Sequence, residues 1–260
     1  MADQRPGRWF DGYIFDLDGT VYLGRGLLPG AGEALARLAE RRLPIVYLSN
    51  NTITSPRGYE RKLRGLGLPL TPGCILTPAV LLGDCLRERG VRRLHVIAEA
   101  PLRRQLRGEG FELTEDVDAV ECVVAGFDRH LAYRKLLVAH RALERGAAYI
   151  ATNPDRACPM PDGPWPDTAA VMGALRATTG REVEEVVGKP SPRMMAAAVA
   201  RTGARPEDCL MSGDRLDTDI RMARDGGLHS ALVVAGGDRP RGDVEPEFVV
   251  RSILELLPET

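Results

Sequence analysis

Residues Tyr13-Ile14-Phe15-Asp16-Leu17-Asp18-Gly19-Thr20 form an apolar run that stops at two aspartates, one residue apart, and a glycine. Such a run reads as a buried strand ending in carboxylates. In an open α/β sheet, ligands gather beyond the carboxyl ends of the strands. Side chains at i and i+2 share a face while strand geometry lasts, so Asp16 and Asp18 can converge. Like charges that close destabilise each other unless a cation lies between them. Carboxylates favour hard, oxygen-seeking ions such as Mg²⁺. Read locally, the same D-G pair is also a turn or helix-cap signal.

The rest of the chain alternates strand and helix. Strands are expected at 13–16, 44–49, 94–98, 119–125, 148–152, 183–187, 209–212 and 231–234. Helices are expected at 31–41, 56–66, 78–89, 101–107, 132–145, 168–178, 192–201 and 218–224, several of them closed by glycine, with a terminal strand and helix over 248–257. This alternation predicts an α/β fold with a mostly parallel, doubly wound sheet. The proline-rich stretch 158–166 reads as a loop and Gly236-Gly237 as a turn.

Three further segments place chemistry at the end of an apolar strand. Leu48-Ser49-Asn50-Asn51 offers a hydroxyl and backbone N–H groups suited to a phosphate oxygen; Ser and Asn are equally at home as helix N-caps. Val187-Gly188-Lys189-Pro190-Ser191-Pro192 sets a lysine just before a helix. Lys62, Lys135 and Lys189 are the only lysines among 35 basic residues, so a lysine here suggests a required point charge; a solvated surface lysine is the plain alternative. Met211-Ser212-Gly213-Asp214-Arg215-Leu216-Asp217-Thr218-Asp219 ends a strand in acids that read as oxygen ligands or as caps. Two acids, a hydroxyl, a cation and further acids are what phosphoryl transfer through an aspartyl-phosphate requires.

These four segments, in this order, resemble the haloacid dehalogenase (HAD) superfamily of phosphatases. The spacing from Ser49 to Lys189 far exceeds the ~30 residues of one βαβ unit, so an additional α/β domain must sit between them. That layout resembles class IIA, the C2-capped branch that includes p-nitrophenyl-phosphatase-like and ribonucleotide monophosphatase-like enzymes. Ala151-Thr152-Asn153-Pro154-Asp155, V-G-K-P-S-P and Gly126-Phe127-Asp128-Arg129 add to the match, which covers nearly the whole chain. The resemblance implies a Rossmann-like catalytic core at 1–77 and 186–260, with a smaller C2 cap domain inserted at 78–185. It implies Asp16 as nucleophile and Asp18 as acid–base. It further implies Mg²⁺ held by Asp16, the Asp18 carbonyl and Asp214, with Asp219 bracing the site. Ser49, Asn50 and Lys189 are the implied phosphate-binding residues. Asp128, Arg129, Asn153 and Asp155 are candidates on the cap, each equally readable as an ordinary loop residue or helix cap. The cap is expected to close over the core and exclude water.

Composition narrows partners. Net charge is −1 at pH 7, which gives no reason to expect nucleic acid as a partner. Five scattered cysteines without C-x-x-C argue against zinc or a disulfide framework. Residues 1–10 carry no apolar signal core, and no run reaches membrane-spanning length, so a cytoplasmic protein off the membrane is expected. The expected activity is hydrolysis of a small-metabolite phosphomonoester: a sugar or polyol phosphate, a nucleotide or similar. A phosphotransferase or phosphomutase using the same intermediate, or a non-catalytic binding module on the same fold, are the alternatives. A homodimer through the cap is left open, as is the identity of the ester.

Overall fold

The computed structural model describes residues 5–160, 162–235 and 242–259; Gly236-Gly237 lies outside them. In chain order the first elements are β1 (Gly12–Asp16), a hairpin of β2 (Tyr22–Leu23) and β3 (Gly26–Leu27), α1 (Ala31–Glu40), β4 (Ile45–Leu48), α2 (Pro56–Gly65) and β5 (Ile75–Leu76). There follow α3 (Pro78–Glu88), β6 (Arg93–Ile97), α4 (Ala100–Gly108), β7 (Glu112–Leu113), β8 (Cys122–Ala125), α5 (Tyr133–Glu144) and β9 (Ala148–Ala151). Next come β10 (Ala157–Met160), β11 (Gly163–Pro166), α6 (Thr168–Thr179) and β12 (Glu185–Val186). The chain closes with α7 (Pro192–Thr202), β13 (Cys209–Gly213), α8 (Arg221–Asp225), β14 (His229–Val233) and β15 (Phe248–Val250).

Contacts divide the chain into two compact units. One comprises Met1–Ser49, Arg57–Leu76 and Lys189–Thr260; the other comprises Asn50–Pro56 and Thr77–Gly188. The first holds a parallel sheet of order β15-β14-β13-β1-β4-β5, the second a parallel sheet of order β12-β9-β8-β6-β7. The doubly wound α/β class expected from the alternation is therefore present in both units. This division differs from the expected one at both boundaries: Asn50–Pro56, Thr77 and residues 186–188 fall with the second unit, where Asn153 Nδ2 donates to the Asn50 carbonyl at 3.1 Å.

Parallel strands covered on both faces need apolar residues at nearly every position. Every residue of β1, β4 and β13 is buried. Tyr13, Phe15, Leu35, Leu38, Tyr47 and Leu63 pack in the core of the first unit; Val123, Ala139, Leu143, Tyr149 and Leu175 do so in the second. Truncating one such leucine, Leu63 for instance, should cost about 2–5 kcal/mol. Helix α7 starts where the motif around Lys189 ends: Pro192 fits the first turn, and the Ser191 hydroxyl accepts from the Met194 N–H at 3.2 Å. All five cysteines are buried and unbridged. Among the described residues no helix is long and apolar enough to cross a membrane.

Two expectations need correction. The stretch expected as a loop at 158–166 forms most of the antiparallel pair β10–β11. The helix expected over 218–224 instead opens with a π-helical turn, Leu216–Ile220, before α8. Single π turns recur at functional sites, and this one carries Asp219.

Candidate active site

The ends of β1 and β13 face a common point. Carboxylate oxygens of Asp16, Asp214 and Asp219 all lie within 4.8 Å of one another. Asp16 is the last residue of β1, Asp214 follows β13, and the π turn brings Asp219 back to the same place. Two glycines make this approach feasible. A Cβ on Gly19, whose φ is +94°, would stand 2.5 Å from Asp214 Oδ2. A Cβ on Gly213 would stand 2.2 Å from the Asp219 carboxyl carbon.

Lys189 joins the three acids. Its Nζ donates to Asp16 Oδ1 at 2.5 Å and to Asp219 Oδ1 at 2.7 Å, with the lysine only 3% exposed. Asp219 Oδ2 accepts from the Arg215 N–H at 3.2 Å. Three carboxylates against this one ammonium leave an excess of negative charge that Arg215 offsets only weakly. The titration of the groups follows. Burial, then the Asp16 and Asp219 charges, push the Asp214 carboxyl up to about 7. Burial pushes Asp219 up to about 6 against the pull of Lys189. Asp16 is raised by burial although Lys189 pulls it down. Burial alone would lower Lys189, but Asp16 and Asp219 together hold it well above the usual lysine range.

This donor set fits a hard divalent cation. All candidate ligands are carboxylate oxygens, the charge is under-compensated, and Asp16 Oδ2 is buried with no hydrogen-bond partner among the described residues. Zinc chemistry has no support here, since no cysteine or histidine belongs to the cluster.

The Asp18 side chain lies outside that cluster. Its Oδ2 accepts a hydrogen bond from the Tyr22 hydroxyl at 3.0 Å, and burial raises its carboxyl above the ordinary range. Ser49, buried at the end of β4, has its Oγ 2.8 Å from the Tyr59 hydroxyl of α2. Lys62, one turn further along α2, seats its Nζ 3.6 Å from the centre of the Tyr22 ring. Tyr22, Tyr59 and Lys62 were not among the residues singled out from sequence; only the scarcity of lysine pointed toward one of them.

The other candidates belong to the second unit. Asn50 Nδ2 donates to Asp155 Oδ1 at 3.4 Å, and Asn153 Oδ1 accepts from the Asp155 N–H at 3.0 Å, so Asn50, Asn153 and Asp155 form one polar network. Asp128 accepts from Lys135 Nζ at 2.6 Å, and Arg129 donates to Glu99 Oε1 at 2.7 Å; each is held in an ion pair of its own.

A doubly wound core with carboxylates and a buried lysine at its strand ends is the kind of site that suits phosphoryl transfer. The comparisons agree. The haloacid dehalogenase-like hydrolase model matches residues 13–112, and a second HAD-hydrolase-like model matches residues 186–256. The chain is 32% identical over 249 residues to a dihydroxyacetone phosphatase of Corynebacterium glutamicum, covering 94% of this chain and 90% of that protein. It is also 32% identical to the sugar-phosphatase AraL of Bacillus subtilis, covering 94% of this chain and 91% of that one. The crystal structure of a 4-nitrophenylphosphatase from Thermotoga maritima superposes with a TM-score of 0.88 at 34% identity, covering 95% of this chain and 96% of that one. The chain belongs to the haloacid dehalogenase-like hydrolases, in their class IIA branch.

Proposed function

We propose that this protein is a Mg²⁺-dependent phosphatase that hydrolyses small phosphomonoesters through an aspartyl-phosphate on Asp16. The observation that carries the reading is the buried cluster of Asp16, Asp214 and Asp219 around Lys189, with its excess negative charge. The phosphatases named among its relatives support the ester class, sugar phosphates foremost.

In this reading Asp16 attacks phosphorus and the ester oxygen leaves. Asp18 gives that oxygen a proton, then takes one from the water that hydrolyses the aspartyl-phosphate. Its raised carboxyl suits it to hold a proton until the leaving oxygen needs it. Ser49 Oγ and the Asn50 amide hold phosphoryl oxygens, and Lys189 neutralises them. Asp219 keeps Lys189 in place through the 2.7 Å contact. A Mg²⁺ held by Asp16, the Asp18 carbonyl and Asp214 would supply further neutralisation of the phosphoryl group. Splitting one displacement into two easier ones is what the covalent intermediate contributes.

Phosphate release from 4-nitrophenyl phosphate and a panel of sugar and polyol phosphates, with Mg²⁺ and with chelator, tests the reading. Turnover is expected with Mg²⁺ only. Asp16→Asn should lower it by roughly 10⁴-fold or more while leaving the circular dichroism spectrum unchanged. Turnover at the wild-type rate in Asp16→Asn would overturn the nucleophile assignment.

A further inference from the structure

Tyr22 and Lys62 take no part in the proposed displacement, yet Tyr22 bonds Asp18 and Lys62 rests on the Tyr22 ring. Tyr22 is fully buried and is tied to the D-x-D-G-T segment from both sides: its N–H donates to the Leu17 carbonyl at 3.1 Å, and its carbonyl accepts from the Gly19 N–H at 2.9 Å. Its hydroxyl reaches Asp18 Oδ2 at 3.0 Å. Lys62 is half-buried on α2, where residues three apart share a face; Tyr59, on that face, touches Ser49. The Lys62 ammonium rests 3.6 Å from the Tyr22 ring centre, a cation–π seat.

An acid that must meet a leaving oxygen gains from a fixed orientation, because small misplacements are costly in rate. A carboxyl turns readily about its last torsion. A phenol donating to Oδ2 removes that freedom and leaves Oδ1 as the oxygen able to carry the proton. We propose that Tyr22 and Lys62 are positioning residues for Asp18: the phenol fixes its carboxyl, and the Lys62 ammonium holds the phenol ring in place. This rests on the reading of Asp18 as the acid–base group.

Leaving-group dependence separates positioning from mere packing. A nitrophenolate leaves without much protonic help, whereas the alkoxide of a sugar or polyol phosphate needs it. Tyr22→Phe keeps the ring and its packing and removes only the hydroxyl. Lys62→Met keeps most of the stem and removes the charge; Lys62→Arg restores a cation that can stack on the ring. These variants and Asp18→Asn are assayed on 4-nitrophenyl phosphate and on the sugar or polyol phosphate turned over fastest. Tyr22→Phe should lower kcat on the alkyl ester by about tenfold to a hundredfold, within what a positioned acid contributes, and by less than about threefold on the aryl ester, with KM unchanged. Lys62→Met should show the same split at smaller size, and Lys62→Arg should restore most of the loss. Equal losses on both esters, or none, would overturn the positioning role. Should Tyr22→Phe not fold, as read by thermal melting, the two Lys62 variants decide. If Asp18→Asn itself is blind to the leaving group, the acid–base reading fails; if it is sensitive and the Tyr22 and Lys62 variants are not, only the positioning role fails.

Discussion

At the carboxyl ends of β1 and β13, three carboxylates share one lysine. Past the carboxyl ends of β6 and β8, in the other parallel sheet, Glu99 has Arg129 at 2.7 Å and Asp128 has Lys135 at 2.6 Å. Both sheets are parallel, though their strand orders differ, and both bring acids to the same kind of place. One set is balanced by the chain itself and the other is not. A buried carboxylate with its own cation is a structural part; a buried cluster short of positive charge is poised to take a cation from solution.

Removing one acid from each set should expose the difference. Of the two, the larger effect is expected for Asp214→Asn: Mg²⁺-dependent turnover falls by about 10²-fold or more, yet metal-free protein melts no lower than wild type at pH 8, because an unbalanced charge is gone. Glu99→Gln should do the reverse. It leaves turnover per folded molecule within a few-fold and costs about 1–3 kcal/mol of stability, read by urea denaturation. A stability loss in Asp214→Asn as large as that in Glu99→Gln would break the contrast.

Titration sharpens it, because the two sets should respond to pH with opposite sign. Asp214 and Asp219 titrate near 3.8 ordinarily but at about 7 and about 6 when folded. Between these limits the folded chain binds more protons than the unfolded one, so metal-free stability falls as pH rises toward 7. Mg²⁺ binding releases those protons and should raise Tm more at pH 8 than at pH 5.5. Glu99 is held below its ordinary 4.5, chiefly by hydrogen bonding to Arg129. Its contribution is complete above that value and is lost as pH falls through the lower folded one. Melting curves of wild type and Glu99→Gln should therefore converge in acid. The smallest effect belongs to exposed pairs: Arg134→Ala, which breaks a contact to Glu115 between side chains 76% and 51% exposed, should change stability by about 0–1 kcal/mol.

What could be read from the chain follows the same physics. Buried parallel strands are apolar throughout, so the polar residues ending β1, β4 and β13 stand out. The Gly-Asp and Lys-Pro pairs could be located for the same reason. The β10–β11 pair was hidden because prolines are loop signals. Here Pro159, Pro164 and Pro166 fall on alternate pairs of the ladder, Pro159 opposite Pro164 and Pro166 opposite Ala157. An antiparallel ladder leaves alternate pairs unbonded, so the absent N–H groups cost nothing there. The two-residue strands β2, β3, β5 and β7 are too short to show a period. Tyr22, Tyr59 and Lys62 escaped notice because an apolar-faced helix and a buried tyrosine look like core until contacts are seen. The π turn was equally hidden, since its pattern differs from an α-helix by one residue.

The scarcity of lysine gives the protein an unplanned set of reporters. Its three side-chain amines stand in three separate settings: Lys189 sealed among acids, Lys62 seated on an aromatic ring, and Lys135 paired with Asp128. Acylating reagents followed by peptide mass analysis would read each setting as a distinct labelling rate. Lys189, 3% exposed, should react slowest of the three. Chemical footprinting could thus test whether phosphate analogues enter the proposed catalytic centre without any engineered tag.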